Sequence, residues 1–457
     1  MVNEIKILAI GLALAMSGMD RDEYARNFDK TFTLKRGQAV RVEHRQGEVV
    51  IHTHPGLDMT VHAEIRVSAP DRARAEEFSK RIEILTDSYE TEFSIRTKYP
   101  ETPTSFFGMN RVSYSVRFDI TIPESAPLDV HNSFGAVSVT GLRATGNIKT
   151  GFGALQFRDG KGALRLENSF GSVELAGNTG DVIIQDNNGA VKASEITGTL
   201  NLTDKFGNVT VDRVSKDVTI NNNNGEVSLT DCGGPAMVKN SFGSVIVHNI
   251  RGDVTVHNGN GKIDATNITG KAELNTSFAA VQFSDIGRGL SVRANNSSIE
   301  GERIKGPSKI EDSFGRVRVS EVEGGIRVQS NNGEVSLDDI RGDASVKTSF
   351  AKVELRHVTG GIDVENQNGA VEASSEAKIG CQPITIHTSF AAIRVRLPAN
   401  PNYSVTAKTS FAKIHSEIPL TVSSSMTEDS LNGTIGGGQC ELRLTDNNGA
   451  IEILSAH

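Results

Sequence analysis

From Gly135 to Gly369 a small residue recurs every 18 positions without a slip. The fourteen anchors are Gly135, Gly153, Gly171, Gly189, Gly207, Gly225, Gly243, Gly261, Ala279, Ser297, Gly315, Gly333, Ala351 and Gly369. A fixed period near 20 residues marks a solenoid, in which each repeat is one coil resting on the last. Such a chain grows by adding coils, so its 457 residues need not divide into separate globular cores.

The apolar residues keep fixed offsets from each anchor. Counting from Gly243, they are Val245, Val247, Ile250, Val254 and Val256, at +2, +4, +7, +11 and +13. Gly333 gives Val335, Leu337, Ile340, Ala344 and Val346, and Gly189 gives Val191, Ala193, Ile196, Leu200 and Leu202. Two period-2 alternations per repeat predict two short strands, each with one face inward. A second glycine near +9 (Gly198, Gly234, Gly252, Gly342) turns the chain between them. The predicted fold is all-β: a parallel β-solenoid of 18-residue coils, wound as a right-handed β-helix by the crossover rule. Its thirteen anchor-to-anchor steps make a rod of about 60 Å. A left-handed hexapeptide helix is disfavoured because +8 and +14 are mostly polar. A calcium β-roll is disfavoured because no Asp holds a fixed place in each half-repeat.

A slower rhythm runs in the residue before each anchor. It is Phe at 134, 152 and 170, and then alternates: Asn188, Phe206, Asn224, Phe242, Asn260, Phe278, Asn296, Phe314, Asn332, Phe350, Asn368. At a coil spacing of about 4.8 Å, a Phe ring at a corner is expected to leave little room for another directly above it. Asn then fills the intervening coil and bonds the neighbouring corner. The functional alternative is an exposed aromatic stripe.

Solenoid ends expose strand edges and need caps. Residues 27–130 lack the period and read as an N-terminal capping region of α+β character. Its expected strands are Ala39–Glu43, Val49–Thr53, Thr60–Val67 and Tyr114–Ile122, with a helix from Arg72 to Ile84 started by Pro70-Asp71. A loop from Pro100 to Asn110 carries Phe106 and Phe107 side by side. Residues 131–373 form the regular solenoid. Residues 374–457 are irregular final coils and a C-terminal cap, where Ser389-Phe390-Ala391, Ser410-Phe411-Ala412 and Asn447-Asn448-Gly449 return. Residues 1–18 hold an uncharged run, Ile7 to Met16, suited to the apolar part of a signal peptide, with Ala13-Leu14-Ala15 as its cleavage site. The run is too short to span a bilayer.

A net charge of −8 and a pI near 5.8 argue against nucleic acid or an anionic membrane as partner. Cys232, Cys381 and Cys440 are odd in number and contain no close pair, so neither a disulfide framework nor a zinc site is expected. Cys232 takes an aliphatic position and reads as a buried, inert thiol.

Chemistry at the surface would need side chains gathered by stacking. Glu354 and Glu372 fall in one column about 5 Å apart, near the separation of a retaining glycosidase pair. Lys352, Arg356 and Arg394 lie beside them, and a solvated charge ladder explains the group without catalysis. Asp186 and Asp204 stack at a corner shared with Asn168 and Asn222. Two carboxylates fall short of a calcium cage, and a hydrogen-bonded polar ladder is expected. His52, His54 and His62 make a weak metal signal. No nucleophile triad, P-loop or dinucleotide fingerprint occurs, so no catalytic, cofactor-binding or metal residue is assigned.

The layout resembles a bacterial family of β-strand-repeat proteins labelled putative adhesins. The resemblance rests on Phe118-Asp119-Ile120-Thr121-Ile122-Pro123, on the first repeat Asn132-Ser133-Phe134-Gly135-Ala136-Val137, and on the stretch Gly433–Gly438 followed by Glu441–Ile453. It implies an exported or envelope-associated β-solenoid and hands over no catalytic residues. The resulting expectation is a non-enzymatic rod in the periplasm, cell envelope or cell surface. It would bind a protein or cell-surface component, without nucleic acid, cofactor or a transmembrane span in the mature chain. An envelope-stress or assembly scaffold is the second reading, and a carbohydrate-active β-helix enzyme the third.

Overall fold

The inward offsets form the core. In a computed structural model describing residues 21–100, 112–376, 381–423 and 427–455, the side chains at +2, +4, +7, +11 and +13 are buried along the rod. Each coil contributes one strand to each of two sheets, for example Val245–Ile250 and Val254–Asn260. Equivalent strands pair in parallel with a register of 18: Val173 lies opposite Val191, Val227 opposite Val245, Val317 opposite Val335. Val, Ile and Leu dominate the interior, as β-branched side chains suit a pleated surface packed from both sides. The parallel 18-residue β-solenoid is therefore the fold. The apolar run Ile7–Met16 and the pair Phe106–Phe107 lie outside the described residues.

Both ends are built differently from the middle. The coil of Ala39–Gln46 and Val49–His54 is interleaved out of chain order. It pairs on one side with Glu92–Lys98 and Ser113–Pro123, and on the other with Leu128–Phe134 and Val137–Thr140. Beyond it the parallel pattern gives way to antiparallel strands. Asp22–Thr33 pairs with Asp58–Ala69, which pairs with Ser113–Pro123, while Glu83–Ser88 covers Glu92–Lys98. The helix runs from Arg72 to Lys80, shorter than expected because the chain leaves it to form Glu83–Ser88. Asp71 caps it, accepting from the Arg74 amide at 2.9 Å.

The C-terminal end repeats the device. The last coil, Cys440–Thr445 with Ile451–Ser455, inserts between two earlier coils. Its neighbours are Ile384–His387 with Ile393–Leu397, and Tyr403–Lys408 with Ile414–Ser416. Ser430–Ile435 then closes the edge antiparallel to Tyr403–Lys408. This insertion corrects the reading of the cysteines: it brings Cys381 and Cys440, 59 residues apart, into a disulfide. Cys232 is free and buried, as expected, with burial raising its thiol pKa.

Candidate functional site

At the glycine anchors the chain passes so close to the coil below that a Cβ has little room, and the three other anchors, Ala279, Ser297 and Ala351, keep the side chain small. A Cβ on Gly333 would lie 1.7 Å from the carbonyl oxygen of Gly315, and one on Gly207 1.7 Å from that of Gly189. This close approach, rather than a left-handed backbone, is the shared requirement: Gly135 has φ +131°, but neither Gly207 nor Gly333 has positive φ.

The turn leaves anchor carbonyls facing the interior with no strand partner, and in the coils with Asn three residues before the anchor that side chain meets them. Asn258 Nδ2 donates to the carbonyls of Gly243 and Gly261, both at 2.9 Å. Asn168 does the same for Gly153 and Gly171, Asn240 for Gly225 and Gly243, and Asn366 for Ala351 and Gly369. These buried amides belong to one polar column inside the rod, with Thr or Ser in some coils. At the N-terminal end His44 pairs with Asn132 in the same column, and burial lowers its pKa to about 4, holding it neutral.

Outside this column lies the row of residues immediately before the anchors. The expectation that one Phe excludes another above it is wrong. Phe134, Phe152 and Phe170 occupy successive coils with ring centroids 4.9 and 4.7 Å apart and planes within 6° and 3°. The coil spacing equals a stacking distance, so rings can fill every coil. From Phe170 onward they occupy alternate coils, and this alternation is spatial. The sequence places Phe390 and Phe411 in succession, but the inserted final coil puts Asn448 between them. The stack thus reads Phe350, Asn368, Phe390, Asn448, Phe411. The rings lie outside: 46–48% exposed in the stacked trio and 54–82% from Phe206 to Phe411.

One flank of this row, at −2, is nearly free of charge, whereas the other, at +1, carries Glu226, Lys262, Arg316, Glu334, Lys352 and Lys413. Next to the rings, at −2, stand Ser, Gly, Asn or Gln from Ser133 to Ser410, with Lys205 the one exception. The chain as a whole is 23% charged. Shallow grooves run beside the row, lined by Asn223, Ser241 and Asn295 with Lys239 and Arg293 in the middle and by Ser133, Phe134 and Phe152 with Glu43 and Lys149 at the N-terminal end.

Residues 216–454, more than half of the chain, match the Toastrack DUF4097 family. The chain belongs to the Toastrack DUF4097 family. No curated protein matches it. Among solved structures it is similar to one described as a putative cell adhesion protein from Clostridium sporogenes ATCC 15579. That similarity has 8% identity, covers 94% of this chain and all of the other, and has a TM-score of 0.15.

In this Toastrack rod the acid pair picked out in the sequence is brought together and then neutralised. Glu354 lies opposite Glu372, and Glu372 opposite Arg394. Arg356 bonds Glu354 at 2.6 Å, Lys352 bonds Glu372 at 2.9 Å, and Arg394 reaches Glu372 at 3.5 Å and Glu452 at 2.7 Å. The Lys352 hydrogen bond holds the Glu372 carboxyl below the usual range, opposite to what a general acid needs. The histidines diverge: His62 Nδ1 meets Asp29 at 2.5 Å, His54 Nε2 the Asp58 carbonyl at 2.5 Å, and His52 lies 4.0 Å from Asp119.

Asp186 and Asp204 are the exception within the Toastrack column. They take two successive places that in most coils hold donors, and neither buried carboxylate makes a hydrogen bond of good geometry, although the amides of Asn187 and Asn188 lie near Asp186 and those of Lys205 and Phe206 near Asp204. Burial, then the Asp204 charge, pushes Asp186 up to about 7. Burial also raises Asp204. Asp at other places in the column is used differently. Asp312 accepts the Gly315 amide, and Asp446 accepts the amides of Asn448 and Gly449 at 2.9 and 2.8 Å.

The opposite edge of the Toastrack rod carries a second column, which the sequence reading missed. At +6 from the anchors, Asp159, Glu195, Arg213, Asp231, Asn249, Asn267, Asp285, Arg303, Glu321, Asp339 and His357 all have φ between 50° and 58°. The left-handed residue drops out of the ladder, so that His248 pairs with Thr266 and Ile250 with Ile268. This bulge re-aims the strand and turns +7 inward. The signal was present: the inward offsets jump by three between +4 and +7, which no regular strand can do. Along this edge the side chains bond each other. Arg213 reaches Glu195 at 3.0 Å, Asn267 reaches Asn249 at 2.8 Å, and Arg303 grips Asp285 with two nitrogens at 2.8 and 3.0 Å.

Proposed function

We propose that this Toastrack protein is a non-catalytic adhesion or interaction rod of the cell envelope, and that the anchor edge is its contact surface. The carrying observation is the row of ten exposed phenylalanines, from Phe134 to Phe411, with a single charge in the −2 column on one side and a mixed-sign +1 column on the other. Isolated exposed apolar residues are uninformative, but a contiguous patch beyond a few hundred Å² marks an interaction site. Interface cores are enriched in aromatics and depleted of charge in the same way.

An exported location is supported by the Cys381–Cys440 disulfide, because such bonds persist in oxidising compartments. The apolar run Ile7–Met16 agrees with it. A periplasmic assembly scaffold would use the same edge on a membrane protein. The glycan-cleaving reading loses support because Glu354 and Glu372 are both engaged by cations.

Protease accessibility of a C-terminally tagged chain on intact and then permeabilised cells tests location. Digestion on intact cells favours adhesion, protection until the outer barrier opens favours the scaffold, and protection after permeabilisation sinks both. Replacing Phe242, Phe278 and Phe314 together by Ser tests the surface. Cell attachment should fall at least tenfold with the fold intact; unchanged attachment would move the contact surface elsewhere.

A further inference from the structure

We infer that the aromatic edge is a comb built to interlock with a second copy of this chain, giving an antiparallel homodimer. The inference rests on the reading of this edge as the contact surface and names its partner.

The argument starts from spacing. Phe170, Phe206, Phe242, Phe278, Phe314, Phe350, Phe390 and Phe411 stand on alternate coils in space, about 9.6 Å apart at two coils per step. Between them Asn188, Asn224, Asn260, Asn296, Asn332, Asn368 and Asn448 leave seven slots, each one coil wide. The N-terminal trio displays what a filled slot looks like: rings at 4.9 and 4.7 Å, nearly parallel. A ring from outside, entering a slot, would meet its neighbours at that same distance. The object whose rings repeat at the matching interval is another copy of the same edge.

Symmetry then selects the arrangement. A two-fold axis along the rod sets both combs at equal heights, so ring meets ring and slot meets slot. A two-fold axis across the rod, placed between Asn296 and Phe314, drops seven of the eight rings of one copy into the slots of the other and sets the eighth, Phe170, just past Phe411. Such an interface is isologous and closes at two copies.

Area and charge agree. A Phe side chain presents on the order of 200 Å², of which roughly half is exposed here, so eight rings from each of two copies bury about 1,600 Å². That is the size of a standard stable interface. Each copy carries a net charge of −8, but beside the rings the −2 column is Ser, Asn, Gln or Gly with Lys205 as its one charge. The +1 column has four cations, Lys262, Arg316, Lys352 and Lys413, against Glu226 and Glu334, so the seam does not share the repulsive excess.

The test is sedimentation of the full chain across a concentration series, with two opposed variants. Phe242→Ser/Phe278→Ser/Phe314→Ser removes rings, and Asn260→Phe/Asn296→Phe fills slots with the chain's own rings. The wild type should sediment as a dimer, and both variants should weaken dimerisation at least tenfold while circular dichroism and melting stay as in the parent. The slot-filling variant is decisive, since it adds apolar surface and would strengthen mere stickiness. Unchanged or tighter dimers in that variant overturn the comb. So does a wild type that is monomeric at on the order of 100 µM, above the micromolar ceiling for an interface of this area. Retention of a monomeric wild type on a β-linked polysaccharide column, lost in the Phe variant, would instead assign the edge to glycan. Loss of attachment in the Phe variant of a monomeric protein keeps the contact surface and rejects the dimer. A ring-dependent dimer whose variants still attach does the reverse.

Discussion

The rod has two long edges, and they satisfy the same repeating turn by opposite means. At the anchor edge the corner sheds its side chain or keeps it small, and its carbonyls are met from inside by Asn258 and its stacked equivalents. At the left-handed edge the corner keeps its side chains, and these are spent on each other, as in Arg303 with Asp285. The first arrangement leaves the outer row with nothing to do for the fold, and that row is aromatic and exposed. The second ties most of its outer row, from Glu195 to Arg303, in bonds one coil long. A surface whose residues are already partnered offers little to a ligand, so the comparison places recognition on the anchor edge.

The largest expected effect separates the two edges by steric room. Gly333→Val drives a branched side chain into the Gly315 carbonyl and should cost more than about 4 kcal/mol, or prevent folding. Asp339→Val, six residues later on the other edge, meets an unfavourable backbone and gives up an exposed ion pair with Arg341, and should cost about 1–2 kcal/mol. Denaturant titration of both checks this, and equal losses would abolish the distinction. Next in size is the interior column. Asn258→Leu keeps the volume but strands the carbonyl of Gly261 and leaves that of Gly243 to Asn240 alone, for an expected loss of about 1–3 kcal/mol. A loss below about 1 kcal/mol would mean that the carbonyls find other donors.

Much of this fold can be read from the chain because a solenoid makes sequence distance and spatial distance proportional. Eighteen residues along the chain mean one coil up the rod, so Glu354 and Glu372 are adjacent in fact as in prediction. The proportionality fails where coils insert out of order. No count along the sequence joins Cys381 to Cys440 or places Asn448 between Phe390 and Phe411, because both depend on the last coil entering between two earlier ones. The polar column was partly visible at Asn168, Asp186, Asp204 and Asn222, and the rest went unread because Asn, Thr, Ser and Asp alternate there without one residue type to mark it. The contact surface was seen as a Phe row, but its exposure was not: an assumed steric conflict turned the rings into corner packing, and the stacked trio removes that conflict.

Within the anchor edge, Asp186 tests the claim that this corner needs donors. Its folded-state pKa, about 7, stands above the ordinary carboxylate value of 3.8 because burial and Asp204 disfavour the charge. The folded state therefore holds the proton through a range where the unfolded chain has lost it. The associated stability is full below pH 3.8, declines as pH rises, and is gone above about 7. Asp186→Asn removes this titration and supplies the missing amide. It should stabilise the rod by about 1–3 kcal/mol at pH 8 and by much less at pH 4, measured by melting at both. Stabilisation equal at the two pH values would show that the carboxylate is not the source of strain.

The smallest effect sharpens the other edge. Glu321 and Arg303 are both held left-handed, at φ 54° and 55°, where Asn is better tolerated than long side chains. Glu321→Asn should therefore gain about 0.5–1 kcal/mol from the backbone alone. Arg303→Asn relieves the same backbone but gives up the two-nitrogen grip on Asp285, so its gain should vanish or reverse. The difference between the two variants, read from paired melting curves, measures what the outward ladder contributes at one coil. If both gain equally, the ladder contributes nothing measurable, and the left-handed edge would be as free to recognise a partner as the anchor edge.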